Sequence, residues 1–398
     1  MTEPDLISVD EAIAVLDAAP VAPRVTRVRI SGSLGFRLAQ DLIADRDYPP
    51  FDKSLMDGYA VRHGDIAAAP VELQVVGEAA AGQSFPGSVA AGQAVAIMTG
   101  APMPTGADTV VPVEDCEIRA PRVRVNASLG VGKNIARRGI DCAVGGVVLK
   151  RGVKLGPAQL AVAASVGAAE IDVFDPPRVA VLSTGDELVE IGQTPGPAQI
   201  RNSNNIMLSS LLVKLGCIVT DLGIVRDEPA KIRSAIERGM QADALFVSGG
   251  MSMGQYDFVP RILKELGVQL KITKLRIKPG KPFVFGQLGD RFVFGLPGNP
   301  VSSFVCALRL ASRVLARLGG LDKLENTRSA TTTKDLEANG PREFYQPGIV
   351  EGGAITPLKW KGSADIYTLA MANALIVRPE NAPAVSSGQI VRVLEIPS

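Results

Sequence analysis

The spacing of apolar and polar residues changes twice along the chain. Residues 6–20 carry apolar side chains at helical spacing, and Ser8 with Glu11 three residues later forms a capping-box pattern. We therefore predict a short amphipathic helix there. Between about residues 45 and 141 the apolar runs are short, alternate with polar residues and end in turn residues, as in VELQVVGEA, AVAIMTG, DTVVPVED and RVRVNAS. That pattern predicts a small all-β insert.

A different pattern begins after Pro176-Pro177. Apolar runs such as RVAVLST, CIVTDLGIV and ALFVSGG alternate with helical segments, the last of them PVSSFVCALRLASRVLARLG. Buried strands that alternate with helices predict a central, doubly wound, mostly parallel α/β sheet. After about residue 322 the helical patterns stop. Short runs such as EFYQPGIVEGGAITPLKW and QIVRVLEI then predict a small β-barrel-like module.

These changes predict a multidomain protein of α/β plus all-β class with four regions. A mixed N-terminal region covers residues 1–44 and 142–174, and the β insert covers residues 45–141 between them. The α/β domain covers residues 175–322, and the C-terminal β module covers residues 323–398. In the mixed region, the Ala-rich segment PAQLAVAASVGAAEI predicts a helix.

Composition narrows the class of protein. Lys and Arg number 42 against 41 Asp and Glu, which gives no support to non-specific nucleic-acid binding. The sequence has no apolar run near the roughly 18 residues of a membrane span, and it shows no signal-peptide pattern, so we expect a cytoplasmic protein. The four cysteines are scattered without a CxxC pair. The single histidine, His63, argues against His-rich metal sites and a Ser-His-Asp triad.

Two loops follow predicted strands at the edge where α/β sheets bind ligands. Residues 183–187 (STGDE) follow RVAVL, and on their own they are better explained as a turn and helix cap. Residues 248–254 (SGGMSMG) stand between ALFV and a predicted helix. Paired glycines let backbone N–H groups approach an anion, and a helix N-terminus attracts it further. We therefore predict a phosphate-binding loop at residues 248–254.

A third loop carries two lysines. Lys278 and Lys281 bracket a rigid Pro-Gly turn, which can aim two ammonium groups at one oxyanion, whereas the alternative is a solvated charge pair. The segment LPGNPVSS follows at residues 296–303. Its Ser302 begins a long helix, so it either caps that helix or meets an oxyanion at the helix N-terminus.

Acidic residues also fall at predicted strand ends. Asp227 and Asp257 suit Mg²⁺ beside phosphates, although Asp257 has the simpler role of a helix cap open to it. The β insert concentrates polar residues in three places, at residues 49–62, 98–102 and 137–141. Each place is either a structural turn or part of one face that meets a ligand or another subunit.

Nine segments together closely resemble the molybdopterin molybdenumtransferase family, known as MoeA and as the E domain of gephyrin. They occur in the family's order over roughly residues 8 to 322, and the ordered set is far more specific than any one of them. The segments are PPFDKSLMDGYAVR, MTGAPMPTGADTVVPVED, RRGIDCAVGG, STGDEL, IRNSN, IVRDEP, SGGMSMGQYDFV, IKPGKP and GLPGNPVSS.

The resemblance implies a reaction of adenylylated molybdopterin with molybdate that gives molybdenum cofactor and AMP in the presence of Mg²⁺. It implies an elongated homodimer whose active site lies between the central domain of one subunit and the β insert of the other. An upstream adenylyltransferase and acceptor molybdoenzymes are the further partners it suggests, without nucleic acid or membrane.

The resemblance also implies roles for individual residues. Asp227 and Asp257 would hold Mg²⁺ and help to cleave the phosphoanhydride, and Lys278 and Lys281 would bind molybdate together with Ser302. The other implied substrate-binding residues of the same subunit are Glu187, Ser248, Gly249, Gly250, Ser252, Pro297 and Pro300. The residues that would reach in from the partner subunit are Asp57, Thr99 and Asp141.

The C-terminal module departs from the family pattern. Gln346 stands where members often carry a second Arg after the EF-x element, and Tyr367-Thr368 replaces a frequent Ser-Ser pair. Either Arg342 takes over the lost charge as a substrate-binding residue, or oxyanion affinity is weaker, or the preferred oxyanion is tungstate. A non-catalytic molybdopterin carrier or scaffold and a paralogue with another nucleotide-activated substrate are the competing hypotheses.

Overall fold

The computed structural model describes residues 6–251, 258–322, 324 and 327–397. The chain divides into two compact units. One comprises Met1–Thr26 with Phe174–Ser398, and the other comprises Arg27–Val173.

The predicted N-terminal helix is present and capped as expected. Helix α1 (Val9–Asp17) begins after Ser8, whose hydroxyl accepts a hydrogen bond from the Glu11 N–H at 3.1 Å. The Glu11 carboxylate in turn accepts from the Ser8 N–H at 2.6 Å. The capping-box prediction is therefore confirmed. Val9, Ala12 and Leu16 form the buried face of this helix, because they recur at the spacing of one helical turn. Strand β1 (Val25–Arg29) follows.

The unit of residues 27–173 is dominated by short strands. Its main sheet has six strands in the order β8-β5-β7-β6-β10-β9. The strands are β2 (Arg37–Leu38), β3 (Leu42–Ile43), β4 (Lys53–Ser54), β5 (Gly58–Val61), β6 (Val71–Ala79), β7 (Gln93–Ile97), β8 (Thr109–Pro112), β9 (Cys116–Arg119), β10 (Arg122–Val125), β11 (Ile135–Ala136), β12 (Val147–Leu149) and β13 (Glu170–Phe174), with helices α2 (His63–Ile66) and α3 (Pro157–Ser165). The β character predicted for the insert is confirmed.

The Ala-rich helix was predicted too long. Helix α3 ends at Ser165, and Glu170–Phe174 forms strand β13 instead. Gly167 adopts φ +75°, the left-handed conformation that commonly stops a helix. The residues after it alternate apolar and polar, which suits a strand.

The second unit contains the predicted α/β sheet. Its order is β17-β14-β18-β22-β21-β19, in which the first four strands are parallel and the last two are antiparallel. The elements are β14 (Arg178–Thr184), β15 (Leu188–Val189), β16 (Ile200–Arg201), α4 (Ser203–Lys214), β17 (Ile218–Val225), α5 (Pro229–Gly239), β18 (Ala244–Ser248), α6 (Phe258–Glu265), β19 (Gln269–Ile272), β20 (Ile277–Lys278), β21 (Val284–Leu288), β22 (Arg291–Leu296), α7 (Pro300–Cys306) and α8 (Ser312–Leu318).

Helices cover both faces of this sheet. Alternate residues of β14 face opposite ways, so that Val179 and Val181 join one apolar core while Ala180 and Leu182 join another. Helices α4 and α7 pack into the first core, and α5 and α6 pack into the second. The doubly wound, mostly parallel sheet is therefore confirmed.

The C-terminal module is a closed barrel. Its strands are β23 (Thr327–Thr332), β24 (Glu343–Glu351), β25 (Ala354–Pro357), β26 (Ala374–Arg378) and β27 (Ile390–Glu395). They follow the order β24-β25-β23-β27-β26, the pairing of β24 with β26 closes the ring, and β20 adds to β24. The expectation that helices stop after residue 322 is wrong by one element, because α9 (Ile366–Met371) forms after Asp365. Six residues are too few to show helical spacing, and the Asp365 carboxylate caps this helix by accepting from the Thr368 N–H at 3.1 Å.

In the part of the chain that the structure describes, every helix is too short or too polar to cross a bilayer.

Candidate functional site

A pocket of about 330 Å³ lies at the carboxyl ends of three parallel strands of the α/β sheet, β14, β18 and β22. This is the edge at which open α/β sheets bind ligands. Its wall combines polar side chains with exposed backbone. The lining residues are Thr184, Glu187, Leu188, Ile200, Arg201, Asn202, Ser203, Asn204, Ser248, Gly249, Gly298, Asn299 and Pro300. Four predicted substrate-binding residues, Glu187, Ser248, Gly249 and Pro300, therefore come together here.

The loop after β18 approaches neighbouring backbone too closely for any side chain. Gly249 adopts φ +91°, and a Cβ there would lie 2.4 Å from the Thr184 carbonyl oxygen. Gly250 adopts φ +61°, and a Cβ there would lie 2.7 Å from the Thr184 hydroxyl. The Gly249 N–H donates to the Leu296 carbonyl at 3.1 Å, which ties the loop to β22. Both glycines are therefore required by contact as well as by conformation.

Asparagines organise the pocket wall. The Asn204 amide donates to the Ser248 hydroxyl and to the Gly298 carbonyl, each at 2.8 Å, and so joins the loops that follow β18 and β22. Below it, the buried Ser183 hydroxyl donates to the Asn205 side-chain oxygen at 2.5 Å and lies 3.1 Å from that of Asn202. These asparagines were not among the predicted site residues. Their signal was the segment IRNSN, which contributed only to the resemblance.

One polar atom in the wall has no partner. Thr184 is 2% exposed, and among the described residues its hydroxyl oxygen makes no hydrogen bond. A buried hydroxyl without a partner costs roughly 1–3 kcal/mol. This cost is typical of a position where a ligand completes the hydrogen bonding.

Helix α7 begins at the same edge. Pro300 occupies its first turn and lines the pocket, and the Ser303 hydroxyl donates to the Pro297 carbonyl in the loop before the helix. Ser302, the predicted oxyanion ligand, is 4% exposed in the first turn. The partial positive charge of a helix N-terminus therefore lies beside the pocket.

The lysine loop packs against the same helix. Gly280 adopts φ +123°, and a Cβ there would lie 2.6 Å from the Cys306 sulfur of α7. The Lys281 carbonyl accepts from the Leu275 N–H at 2.9 Å. Lys278 is exposed, and its ammonium lies 4.8 Å from the centre of the Phe344 ring. It lines a second pocket, at the barrel, rather than the one at the sheet edge.

The predicted Mg²⁺ ligands are only partly described. Asp227 follows β17, and its N–H donates to the Asp186 carboxylate at 3.3 Å. Asp257 and Ser252 lie outside the described residues. Within the described ranges, no group of three or more His, Cys, Asp or Glu side chains is placed to hold a metal. These residues therefore do not by themselves form a protein cage for a metal.

The unit of residues 27–173 holds the other predicted site residues. Asp57 and Thr99 lie together, since the Asp57 carboxylate accepts from the Thr99 N–H at 2.6 Å and from its hydroxyl at 2.8 Å. These two bonds lower the pKa of the Asp57 carboxyl below its ordinary value of 3.8. Asp141 is exposed, and its N–H donates to the Tyr48 carbonyl at 2.9 Å.

Arg342 lies in the C-terminal module and is exposed. Its carbonyl accepts from the Asn339 amide at 2.9 Å. It lines neither the pocket at the sheet edge nor the second pocket, at the barrel.

Sequence models of one family match three successive parts of the chain. They are described as the MoeA N-terminal region (domain I and II) over residues 7–167, a probable molybdopterin binding domain over residues 180–317 and the MoeA C-terminal region (domain IV) over residues 329–396. Together they span most of the sequence.

Individual proteins match over nearly the whole length. The molybdopterin molybdenumtransferase of Haemophilus influenzae is 35% identical over 398 residues, which covers 98% of each chain. That of a Nostoc species is 36% identical over 375 residues, covering 90% of this chain and 86% of the other. The crystal structure of the molybdopterin biosynthesis MoeA protein from Pyrococcus horikoshii OT3 superposes with a TM-score of 0.86 at 28% identity, covering 98% of this chain and all of the other. The resemblance in the motifs is thereby confirmed, and the chain belongs to the MoeA family of molybdopterin molybdenumtransferases.

Proposed function

We propose that this chain inserts molybdate into adenylylated molybdopterin, giving molybdenum cofactor and AMP. The observation that carries the proposal is the pocket at the sheet edge, where the Gly249 loop, the Asn204 amide and the N-terminus of α7 converge. Backbone N–H groups and a helix N-terminus suit the phosphates of a nucleotide-activated substrate. The unpartnered Thr184 hydroxyl supplies a further hydrogen-bonding group to that substrate.

Lys278, Lys281 and Ser302 are proposed to bind the molybdate. Molybdate is a dianion that must approach a polyanionic substrate, and two ammonium groups lower that repulsion. The packing of Gly280 on Cys306 supports this role, because it fixes the turn between the two lysines against the helix that carries Ser302.

Mg²⁺ is proposed to enter with the phosphates of the substrate. The ion commonly uses one or two carboxylates together with substrate phosphates and keeps several waters. Asp227, at the end of β17, fits that mode, with Asp257 as the second proposed ligand. When bound, the ion would neutralise charge on the phosphoanhydride.

A second copy of the chain is proposed to complete the site. Helix α4 carries Ser203 and Asn204 on the pocket wall, and its next residues, Ile206 and Met207, line an apolar groove of about 610 Å³. Ile206 is 53% exposed, as is typical of a surface that another subunit covers. A copy seated on this groove would lie beside the pocket. In the homodimer we propose that Asp57, Thr99 and Asp141 of the second copy reach the substrate.

Single-turnover AMP release tests the reaction. With adenylylated molybdopterin, Mg²⁺ and molybdate, we expect AMP release together with cofactor that reconstitutes an apo-molybdoenzyme. Lys281→Ala should slow the reaction by about 10²-fold, the size of effect seen when one charge-stabilising group is removed. Lys264→Ala, an exposed lysine of α6, is the matched control and should leave the rate unchanged. Tight binding of the pterin without AMP release would contradict the proposal and favour a carrier or scaffold.

Mixing two inactive variants tests the shared site. Asp57→Asn and Lys281→Ala lie in different units of the chain. If each site combines one unit from each subunit, mixed dimers contain one intact site and regain activity. If both residues act within one subunit, every site keeps a defect and the mixture stays inactive. A tungstate series run in parallel tests whether Gln346 accompanies a changed oxyanion preference.

A further inference from the structure

A second pocket, of about 520 Å³, opens at one end of the C-terminal barrel. We call it the barrel-mouth pocket and define it by Lys278, Lys334, Gln346, Lys359, Trp360 and Arg378. The mouths of β-barrels are a common place for small-molecule sites. Of these residues, only Lys278 has a role in the reaction proposed above.

Strand register brings cations of separate strands into one row. Lys278 of β20 pairs with Phe344 of β24, and Phe344 pairs with Arg378 of β26. Directly paired residues point to the same face of a sheet, so these side chains are neighbours. The stacked rings of Phe344 and Trp360, with centroids 5.8 Å apart, form an apolar floor beside them.

Arg378 is a buried cation without a counter-ion. It is 4% exposed, its guanidinium donates to the Pro383 carbonyl, and no described carboxylate lies within 4.0 Å of it. Burial lowers the pKa of this guanidinium, which reflects the cost of keeping the charge out of water. A buried charge of this kind is normally paired, so an anion in the adjacent pocket would remove most of that cost.

The rest of the lining has the same sign. Lys334 and Lys359 form no ion pair with any described residue. Asp335 and Glu337 also line the pocket, but the Asp335 carboxylate already accepts from the Ser387 N–H at 2.7 Å. Four cationic side chains therefore face two carboxylates, which leaves the pocket electropositive.

We propose that the barrel-mouth pocket binds a tetrahedral oxyanion through Arg378, Lys359 and Lys334, with Gln346 as a neutral donor beside them. The anion is either free molybdate or tungstate, or the phosphate group of a nucleotide. This inference rests on the proposed function only through Lys278, which lies at the rim of the pocket and belongs to the molybdate-binding pair. The pocket would hold the oxyanion before or after the reaction at the sheet edge. It also assigns the positive charge near Gln346 to Arg378 and Lys359 rather than to Arg342.

The chain provides its own probe for this site. Trp360 is its single tryptophan, so all tryptophan emission reports on this pocket. Molybdate, tungstate, inorganic phosphate and AMP would each be titrated at constant ionic strength, with chloride as the blank. We expect a saturable change in emission with at least one of these anions, and the ranking identifies its source. No saturable change, or the same change with chloride, would overturn the proposal.

Matched variants locate the binding. Lys359→Gln and Lys334→Gln should each weaken the anion by about fivefold, the size expected for one partly exposed charge. Lys361→Gln removes an exposed lysine of the same segment that does not line the pocket, and it should leave the affinity unchanged. Arg378→Gln should weaken binding further. Because that buried residue also affects folding, the two lysine variants decide the matter, and equal affinities in all variants would reject the site.

Asp227→Asn separates this inference from the proposed function. It should abolish AMP release while the emission of Trp360 still responds to the anion. AMP release by the unmodified chain without an anion-dependent emission change would reject the pocket and keep the transferase. An emission change without AMP release in any condition would keep the pocket and reject the transferase.

Discussion

At the scale of single residues, Gly249 shows how contact and conformation act together. Its φ of +91° alone costs an L-residue about 1–2 kcal/mol. A Cβ would also lie 2.4 Å from a backbone oxygen, which cannot move without displacing β14. We expect Gly249→Ala to lower the free energy of unfolding by about 3 kcal/mol or more. Urea denaturation measures this.

Gly216→Ala is the matched control for this substitution. Gly216 has nearly the same φ, +87°, with no atom within 4 Å of a Cβ. We expect it to cost about 1 kcal/mol, the conformational part alone. Equal losses for the two variants would show that contact with Thr184 does not restrict the loop.

Asp57 gives a prediction about pH. The Thr99 N–H, and then its hydroxyl, hold the pKa of Asp57 below 3.8. A depressed pKa in the folded state means that these bonds stabilise fully above pH 3.8 and lose their effect as the pH falls through the folded-state pKa. Thr99→Val removes the hydroxyl and keeps the N–H, so the pKa of Asp57 should rise towards 3.8. Carboxyl ¹³C NMR titration of labelled aspartate measures it.

Asp365 supplies a reciprocal control in the same spectrum. The Lys361 N–H, and then the Thr368 hydroxyl, lower the pKa of its carboxyl in a similar way. Thr99→Val should leave Asp365 unchanged, and Thr368→Val should move Asp365 and leave Asp57 unchanged. A shift of both carboxyls in either variant would indicate a general disturbance of the fold.

At the scale of elements, the helix that begins at the pocket is interrupted. Between α7 and α8, Ala307–Ala311 is π-helical, and such stretches often occur near functional sites. Arg309, within it, donates to the Tyr345 hydroxyl at 2.9 Å, and that hydroxyl donates to Glu343. Glu343 pairs with Ile277 of β20, next to Lys278, and also contacts Arg392 at 3.3 Å. This buried network therefore joins the pocket helix to the strand that positions Lys278.

Tyr345→Phe tests the network. Burial raises the pKa of Tyr345 well above 10.0, so the residue stays a neutral donor. Without its hydroxyl, Arg309 and Glu343 each lose a buried hydrogen bond, and we expect the free energy of unfolding to fall by about 1–3 kcal/mol. Tyr367→Phe, at a side chain 80% exposed, should change it by less than about 0.5 kcal/mol. Equal effects of the two substitutions in urea denaturation would show that the network contributes little.

At the scale of the whole molecule, the sequence predicted what repeats and missed what does not. Runs such as RVAVLST and VELQVVGEA carry their period in several residues, and both appear as strands at the expected place. Helix α9 and the end of α3 depend on a single cap or glycine, which a pattern of apolar residues does not contain.

The same limit applies to the candidate site. Glycines and prolines showed which loops matter, and Glu187, Ser248, Gly249 and Pro300 do line one pocket. The sequence did not predict Asn204, because its role arises from bonds to Ser248 and Gly298, loops that lie 44 and 94 residues further along the chain. Such a role depends on tertiary structure, which brings the ends of β18 and β22 together.

The hydrophobic cores lead to a prediction about folding. Of the six core clusters of described residues, three lie wholly within residues 27–173 and three wholly within the other unit. Since burial of apolar surface is the main favourable term in folding, each unit contains its own driving force. We expect a fragment of residues 27–173 to fold alone, with dispersed amide NMR signals and a cooperative urea transition. A shorter fragment, residues 27–140, loses Leu155, Ala163, Ile171 and Val173 from one of these cores, so its transition should be broader and at lower urea. A fragment of residues 27–173 that stays unfolded would mean that its cores are insufficient without the rest of the chain.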